Sequence, residues 1–161
     1  MVHEKAALVR GAIITSYAQV EAFLLDLVMR VRVRPDYAGV YDKFPYRLED
    51  RIKAVRKIMA HPGLLHAYRD DMEALVDGLL PFEEIRHMMA HGLQTITFQH
   101  PGEHTLTYRL YRPGKGGKIE AGVMVTDLAQ LGNATLKIAR YSNEVVELFY
   151  RIYTEQGIEP V

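Results

Sequence analysis

An arginine and a histidine stand close together near the end of a predicted helix, in residues 84–92. Arg86 carries a planar, permanently charged guanidinium whose donors match the oxygens of a phosphate group. His91 carries an imidazole, a group that can accept or donate a proton. Such a pair suits metal-independent cleavage of RNA: the imidazole handles the proton of the ribose 2′-hydroxyl, while the guanidinium stabilises charge on the phosphoryl oxygens. DNA lacks this hydroxyl and would be spared.

The spacing of the pair does not by itself define a site. Five steps along an α-helix turn about 500°, so the two side chains point roughly 140° apart on a regular helix. They converge on one ligand only if His91 lies at a frayed helix end, or if a symmetric dimer brings two copies into one cleft. Arg56 and His61 repeat the spacing earlier in the chain. We call Arg56 and His61 the decoy pair, because we expect only one of the two Arg–His pairs to form a functional site.

The apolar periodicity predicts the helices that position these residues. The first helix should run over about 5–31, and the second from about residue 46 to the terminator at 61–63. A third helix is expected over 64–91, with a kink or a break near Leu80 because Pro81 lies inside it. Gly92 is well suited to the C′ position at its end.

After Gly92, polar and apolar residues mostly alternate over 95–98, 105–110 and 119–125, which predicts an antiparallel meander of two or three strands. Turns are expected at Pro101-Gly102 and at 113–117. Thr126 is expected to cap a last helix that starts near Asp127. The predicted fold is therefore mainly α. Four helices form a bundle, with a small antiparallel β meander inserted between the third and fourth helices at about 93–125, in a single domain over 1–161.

The composition limits the classes of function. The 161 residues include 20 acidic and 20 basic side chains, so no net field draws the protein to nucleic acid or to a membrane. Disulfides, thiolate metal sites and cysteine catalysis are excluded because the chain has no cysteine. Polar residues interrupt the apolar stretch 11–31, which therefore resembles neither a signal peptide nor a membrane-spanning helix. We expect a cytoplasmic protein with no membrane partner.

Residues 84–92 resemble the Arg-x4–6-His motif of the HEPN superfamily (higher eukaryotes and prokaryotes nucleotide-binding), and residues 17–24 resemble its aromatic-x-x-x-Glu-x-x-Leu pattern. The resemblance implies an α-helical bundle with the motif late in the third helix, which favours Arg86 and His91 over the decoy pair. It also implies metal-independent RNases that act as dimers in toxin–antitoxin, phage-defence and RNA-processing systems, beside members that only bind. His87 departs from the Asn or Asp that commonly follows the arginine.

Two further residues are candidates for supporting roles. His87 is a second polar group next to the motif arginine. Glu21 lies on the apolar face of the first helix, where a carboxylate should be paired. It either orients Arg86 or a histidine of the site, or forms a structural ion pair. His87 and His91 are four residues apart and could share a metal with Glu83 or Glu84 as a third ligand, but no further His or carboxylate ligand is clear, so we predict neither a metal ion nor another cofactor.

Basic residues cluster around the second predicted β turn. They form either an RNA-binding flap or an ordinary solvated hairpin. The four residues are Arg109, Arg112, Lys115 and Lys118.

Two functions follow as hypotheses. The first is a homodimeric endoribonuclease of HEPN type, with His91 as general acid and base and Arg86 as transition-state stabiliser. The second is a non-catalytic module that binds a nucleotide, an RNA or a protein such as an antitoxin.

Overall fold

A computed structural model describes residues 1–100 and 103–159. The fold is mainly helical with a small three-stranded antiparallel sheet, as predicted. The α-helices are α1 (Val2–Val31), α2 (Leu48–Ala60), α3 (Arg69–Leu79), α4 (Glu83–His91) and α5 (Leu128–Gln156). The strands are β1 (Leu93–His100), β2 (Glu103–Pro113) and β3 (Ile119–Thr126). The turn predicted at Pro101-Gly102 lies outside the described residues. The four-helix arrangement and the single domain stay predictions.

The third predicted helix is divided, and the division at Pro81 is confirmed. A 3₁₀ turn over Leu80–Phe82 separates α3 from α4, because proline has no N–H to donate and its ring crowds the preceding turn. The start of this helix was predicted wrongly. Leu64–Tyr68 is a 3₁₀ helix rather than the first turns of an α-helix. There the N–H of Leu65 donates to the Tyr37 hydroxyl at 2.9 Å.

The beginning of α5 is also corrected. Thr126 is the last residue of β3 and does not cap the helix. Asp127 does, because its Oδ1 accepts the N–H of Gln130 at 2.8 Å. The Thr126 hydroxyl instead lies 3.0 Å from the side-chain oxygen of Gln130. Asp and Thr both favour the N-cap position, so the sequence left a one-residue ambiguity.

The chain folds as two compact units. The first unit comprises Met1–Tyr17 and Phe82–Arg140 and so contains α4, the sheet and the first turns of α1 and α5. In the sheet, β2 lies between β1 and β3, and its even-numbered residues form the buried face. Helix α4 packs against β2. The buried apolar residues of this unit include Ile13, Tyr17, Met88, Met89, Leu106, Tyr108, Leu110, Leu131 and Ile138.

The second unit comprises Ala18–Pro81 and the chain from Tyr141 onward, so it holds α2, α3 and the remainder of α1 and α5. Helix α2 packs against α3 and the 3₁₀ helix before it. The buried apolar residues of the second unit include Leu24, Leu27, Val28, Tyr37, Val55, Ile58, Met72, Leu79, Phe149 and Ile152. Asp26 is a polar centre that accepts hydrogen bonds from Arg30 (2.6 Å) and the Tyr153 hydroxyl (2.7 Å).

Helix α1 is long and apolar enough to cross a membrane by length and composition, and a third of its most apolar window is buried. A core helix meets the same criterion, and α1 supplies buried residues to both units. The helix is therefore weak grounds for a membrane span, consistent with the expectation from its polar interruptions.

Candidate functional site

Helix α4 carries the Arg–His motif and is fixed at both ends. It begins directly after the Pro81 turn, with Glu83 and Glu84 in its first turn and His91 in its last. Acidic residues at the start and a basic residue at the end complement the helix dipole. The helix remains regular through His91, so the motif lies on an ordered helical surface.

Gly92 ends α4 for a reason different from the one predicted. Its backbone is extended, with φ −73° and ψ 138°, and not in the left-handed conformation of a C′ glycine. A Cβ atom at this position would lie 2.5 Å from the carbonyl oxygen of Met88 and 3.4 Å from the Cβ of Tyr108. The glycine therefore allows the chain to leave the helix close to the Met88 carbonyl, and its left-handed conformational freedom is not used.

Arg10 holds the C-terminal end of α4 and was missed in the sequence. Its Nε donates to the carbonyl of Met89, and its Nη2 donates to the carbonyl of Gly92 at 3.4 Å. These donors satisfy carbonyls that a helix end leaves without intrahelical partners. No sequence signal could have identified Arg10, because its partners are main-chain atoms about 80 residues away that any residue type would present.

The motif arginine rests on an aromatic ring. The Cζ of Arg86 lies 5.3 Å from the ring centroid of Tyr17, in a cation–π contact. Tyr17 is almost completely buried on α1, whereas Arg86 is half-buried. Tyr17 is also the aromatic residue of the first-helix pattern described above, so the two segments that resemble the HEPN family contact each other here.

His87 and His91 form a pair of imidazoles on consecutive turns of α4. Their ring centroids are 5.1 Å apart and the rings are inclined by 65°. His87 is half-buried and His91 is exposed. Burial is the main cause that lowers the pKa of His87, and the nearby charges of Arg112, His91 and Arg86 lower it further, against an opposing effect of Glu84. A neutral imidazole at pH 7 is able to accept a proton.

Arg112 reaches this helix from β2. Its Nη2 lies 2.8 Å from Oε1 of Glu84, in an ion pair whose two side chains are 37% and 63% exposed. The alternation of β2 explains the position: Arg112 has the same parity as the buried Tyr108 and Leu110 and so lies on the face that packs against α4. The sequence therefore held a signal for this contact that the prediction did not use.

The four basic residues around the second β turn do not all lie on one face of the sheet. Arg109 is exposed on the opposite face of β2 from Arg112, because the two residues are three apart in a strand. Lys115 lies in the 3₁₀ turn Lys115–Gly117 that follows β2. Lys118 follows that turn, and its carbonyl accepts the N–H of Gly114 at 2.7 Å. The two alternatives for these residues, an RNA-binding flap or a solvated hairpin, stay predictions, and the Arg112 side chain contacts the motif helix.

Glu21 lies in the second unit, on the part of α1 that follows Tyr17. Its side chain is half-buried, and its main-chain carbonyl accepts a hydrogen bond from Nη1 of Arg51 at 3.2 Å. The two roles considered for its carboxylate, orienting a site residue or forming a structural ion pair, stay predictions.

The decoy pair takes part in protein contacts within the second unit. The Nη2 of Arg56 lies 2.6 Å from Glu73 and 3.6 Å from Asp77. The hydrogen bond to Glu73 raises the pKa of Arg56, and the same bond lowers the pKa of the Glu73 carboxyl. The Nε2 of His61 lies 3.0 Å from the carbonyl oxygen of Asp36. Two carboxylates lie against the Arg56 guanidinium, whereas the Arg112 guanidinium is paired with one, that of Glu84.

Other features of the molecule offer less chemistry. Within residues 1–100 and 103–159, no group of three or more His, Asp or Glu side chains is placed to hold a metal ion. A groove of about 410 Å³ lies between α3 and α5 in the second unit. It is lined by apolar side chains and by the ion pair of Asp71 with Arg151. No motif residue lines this groove.

Comparison with known proteins found no family model that matches the sequence, and no similar curated protein or solved structure. The resemblance to the HEPN superfamily therefore rests on the two sequence segments alone.

Proposed function

We propose that this protein is a metal-independent endoribonuclease of HEPN type that acts in the cytoplasm as a homodimer. The observation that carries the proposal is the imidazole pair of His87 and His91 on α4, with two guanidiniums, Arg86 of α4 and Arg112 of β2, close enough to act electrostatically on His87. We call the surface around this pair the motif surface and define it by Arg86, His87, His91 and Arg112. It combines phosphate binding with proton transfer, and RNA is the substrate that uses both.

In the proposed reaction the ribose 2′-oxygen attacks the adjacent phosphorus, and the bond from phosphorus to the 5′-oxygen breaks. The 2′-hydroxyl proton passes to an imidazole, and a second proton passes to the leaving 5′-oxygen. His91 is assigned as general acid and base because it is exposed and accessible to a polynucleotide. Arg86 stabilises the charge on the phosphoryl oxygens. The products are a 2′,3′-cyclic phosphate and a 5′-hydroxyl.

The dimer supplies what one copy of α4 does not. Arg86 and His91 are five residues apart on a regular helix, so their side chains diverge within one chain. A twofold axis that brings two α4 helices together would place the arginine of one protomer opposite the histidine of the other. His87 would support this composite site as a second polar group.

The test is an RNA cleavage assay in the presence of EDTA, with analysis of the product ends. We expect cleavage by the wild-type protein, and a loss of about a hundredfold or more for His91→Ala and for Arg86→Ala. Arg56→Ala and His61→Ala are matched controls, because they remove the same residue types at the same spacing. Cleavage by His91→Ala at the wild-type rate would overturn the assignment.

The alternative is a non-catalytic HEPN-like module in a toxin–antitoxin or phage-defence system, which binds RNA, a nucleotide or a regulatory protein such as an antitoxin. Two observations favour it: His87 replaces the usual Asn or Asp, and the chain has no net positive charge. Its expected signature is saturable binding of RNA or a nucleotide that Arg86→Ala weakens, with no turnover by the wild-type protein.

A further inference from the structure

The ion pair between Arg112 and Glu84 joins the sheet to the motif helix beside the two imidazoles. The Nη2 of Arg112 contacts Oε1 of Glu84 at 2.8 Å, and both side chains are accessible to solvent. Ion pairs with this exposure contribute little to folding stability. The carboxylate is therefore free to exchange for another anion at little energetic cost.

The present contact also uses the arginine incompletely. Within residues 1–100 and 103–159, the Nε of Arg112 is buried and has no hydrogen-bond partner. A buried donor left unpaired is unfavourable. The Nε and Nη2 groups together form the edge of the guanidinium that binds two oxygens of one anion. A phosphodiester presents two such oxygens, so a phosphate bound at this edge of the guanidinium would pair both donors.

The position of the pair connects it to proton transfer. Arg112 acts on His87 as a nearby positive charge, and Glu84 acts on it as a nearby negative charge. An anion that takes the place of Glu84 on Arg112 would therefore lie beside His87, and one helical turn from His91. A phosphate held there would lie close to the imidazole of His87, which is one of the two candidate proton-transfer groups.

We propose that Arg112 binds a phosphate of the RNA substrate and that the Glu84 carboxylate competes with that phosphate for the guanidinium. Glu84 then sets the affinity of the motif surface for polyanions and reserves it for ligands that offer several phosphates. This inference rests on the RNA site proposed above, and it adds a regulatory residue and a phosphate-binding residue from the β insertion.

A double-mutant cycle tests the competition. The probe is a fluorescent 2′-O-methyl RNA oligonucleotide, which keeps the phosphates but lacks the attacking hydroxyl, and the measurement is its dissociation constant by fluorescence anisotropy. We expect Arg112→Ala to weaken binding about tenfold. Glu84→Gln should strengthen binding about threefold, because a neutral amide competes less well for the guanidinium. In the double variant, the gain from Glu84→Gln should disappear.

Two controls separate this effect from general electrostatics. Glu83→Gln removes the same charge from the neighbouring position of α4, and we expect less than half of the gain in binding. Arg109→Ala removes the same cation from the opposite face of β2 and should weaken binding less than twofold. Arg112→Lys keeps the charge without the planar fork, and its binding should be intermediate even if the alanine variant folds poorly.

The proposal is overturned if Glu84→Gln strengthens binding equally with and without Arg112, or if it has no effect on binding. These outcomes are distinct from failure of the proposed function. A wild-type protein that never cleaves RNA but follows the cycle retains the competition as a property of a binding site. A wild-type protein that cleaves RNA but does not follow the cycle retains the nuclease without this control.

Discussion

Burial and the neighbouring charges together set the pKa of His87. Changes in this pKa are the most direct prediction at the scale of a single residue. Burial and the charge of Arg112 lower its pKa, whereas Glu84 raises it. Removing the guanidinium in Arg112→Ala should therefore raise the pKa of His87, and Glu84→Gln should lower it. Titration of the imidazole resonances by NMR measures both shifts. Arg109→Ala serves as the control and should leave the His87 titration unchanged.

The same lowered pKa makes folding stability depend on pH. The unfolded His87 has an ordinary pKa of about 6.5, so below that pH the unfolded state binds more protons than the folded state. The free energy of unfolding should therefore rise as the pH increases toward 6.5, and the contribution of His87 is complete above it. His87→Gln should flatten this dependence in urea denaturation at pH 5, 6 and 7. An unchanged slope would show that folding does not lower the pKa of His87.

A substitution at Gly92 probes the packing at the end of the motif helix, because it adds a single Cβ atom. Gly92→Ala places a Cβ 2.5 Å from the Met88 carbonyl oxygen, which should destabilise the fold by about 1–3 kcal/mol. Gly132→Ala is the matched control, because Gly132 lies in α5 and its added Cβ meets no atom within 4 Å. That change should stabilise the protein by roughly 0.5–1 kcal/mol, as expected for alanine in a helix interior. The two midpoints of thermal unfolding should move in opposite directions.

At the scale of elements, we expect the Arg10 side chain of α1 to hold the last turn of α4 in place. Arg10→Met keeps the apolar stem but removes both hydrogen bonds to the carbonyls of Met89 and Gly92. We expect a loss of about 1–3 kcal/mol and faster amide hydrogen exchange in the last turn of α4. Lys5→Met is the control, since Lys5 is exposed on the same helix. Equal exchange in the two variants would show that Arg10 does not fix the helix end.

The elements themselves were largely predictable from local patterns. Period 3.6 and period 2 placed the long helices and three strands, and Pro81 placed the break before α4. One of the errors arose where a tertiary contact overrides the pattern. The apolar residues of Leu64–Tyr68 fit an α-helix, but the contact of Leu65 with Tyr37 accompanies a 3₁₀ helix instead.

The candidate site was predictable only in part, for a similar reason. One helix segment of the sequence predicts three site residues, Arg86, His87 and His91. Tyr17 belongs to the first-helix segment that resembles the HEPN superfamily. The contact of Arg112 with Glu84 joins residues 28 positions apart. Strand parity gives the face on which Arg112 lies, but which helix covers that face is decided by tertiary packing. Arg10 binds main-chain carbonyls, which leave no trace in the sequence.

At the scale of the whole molecule, the proposed site requires two chains, and that requirement is open to a direct test. If each composite site takes Arg86 from one protomer and His91 from the other, then Arg86→Ala and His91→Ala homodimers are both inactive. A heterodimer of the two variants has one site with both residues and one with neither. When equal amounts exchange subunits freely, half of the dimers are mixed, so about a quarter of the wild-type cleavage should return.

This recovery separates the composite site from its alternatives. A site formed within one chain lacks either Arg86 or His91 in every protomer of the mixture, so no activity would return. The double variant Arg86→Ala, His91→Ala mixed with the wild type is the control, because mixed dimers then contain one defect in every composite site. Its activity should fall to about a quarter, since only wild-type homodimers remain competent. If each chain instead carried a complete site of its own, half of the activity would remain, and the proposed composite site would be wrong.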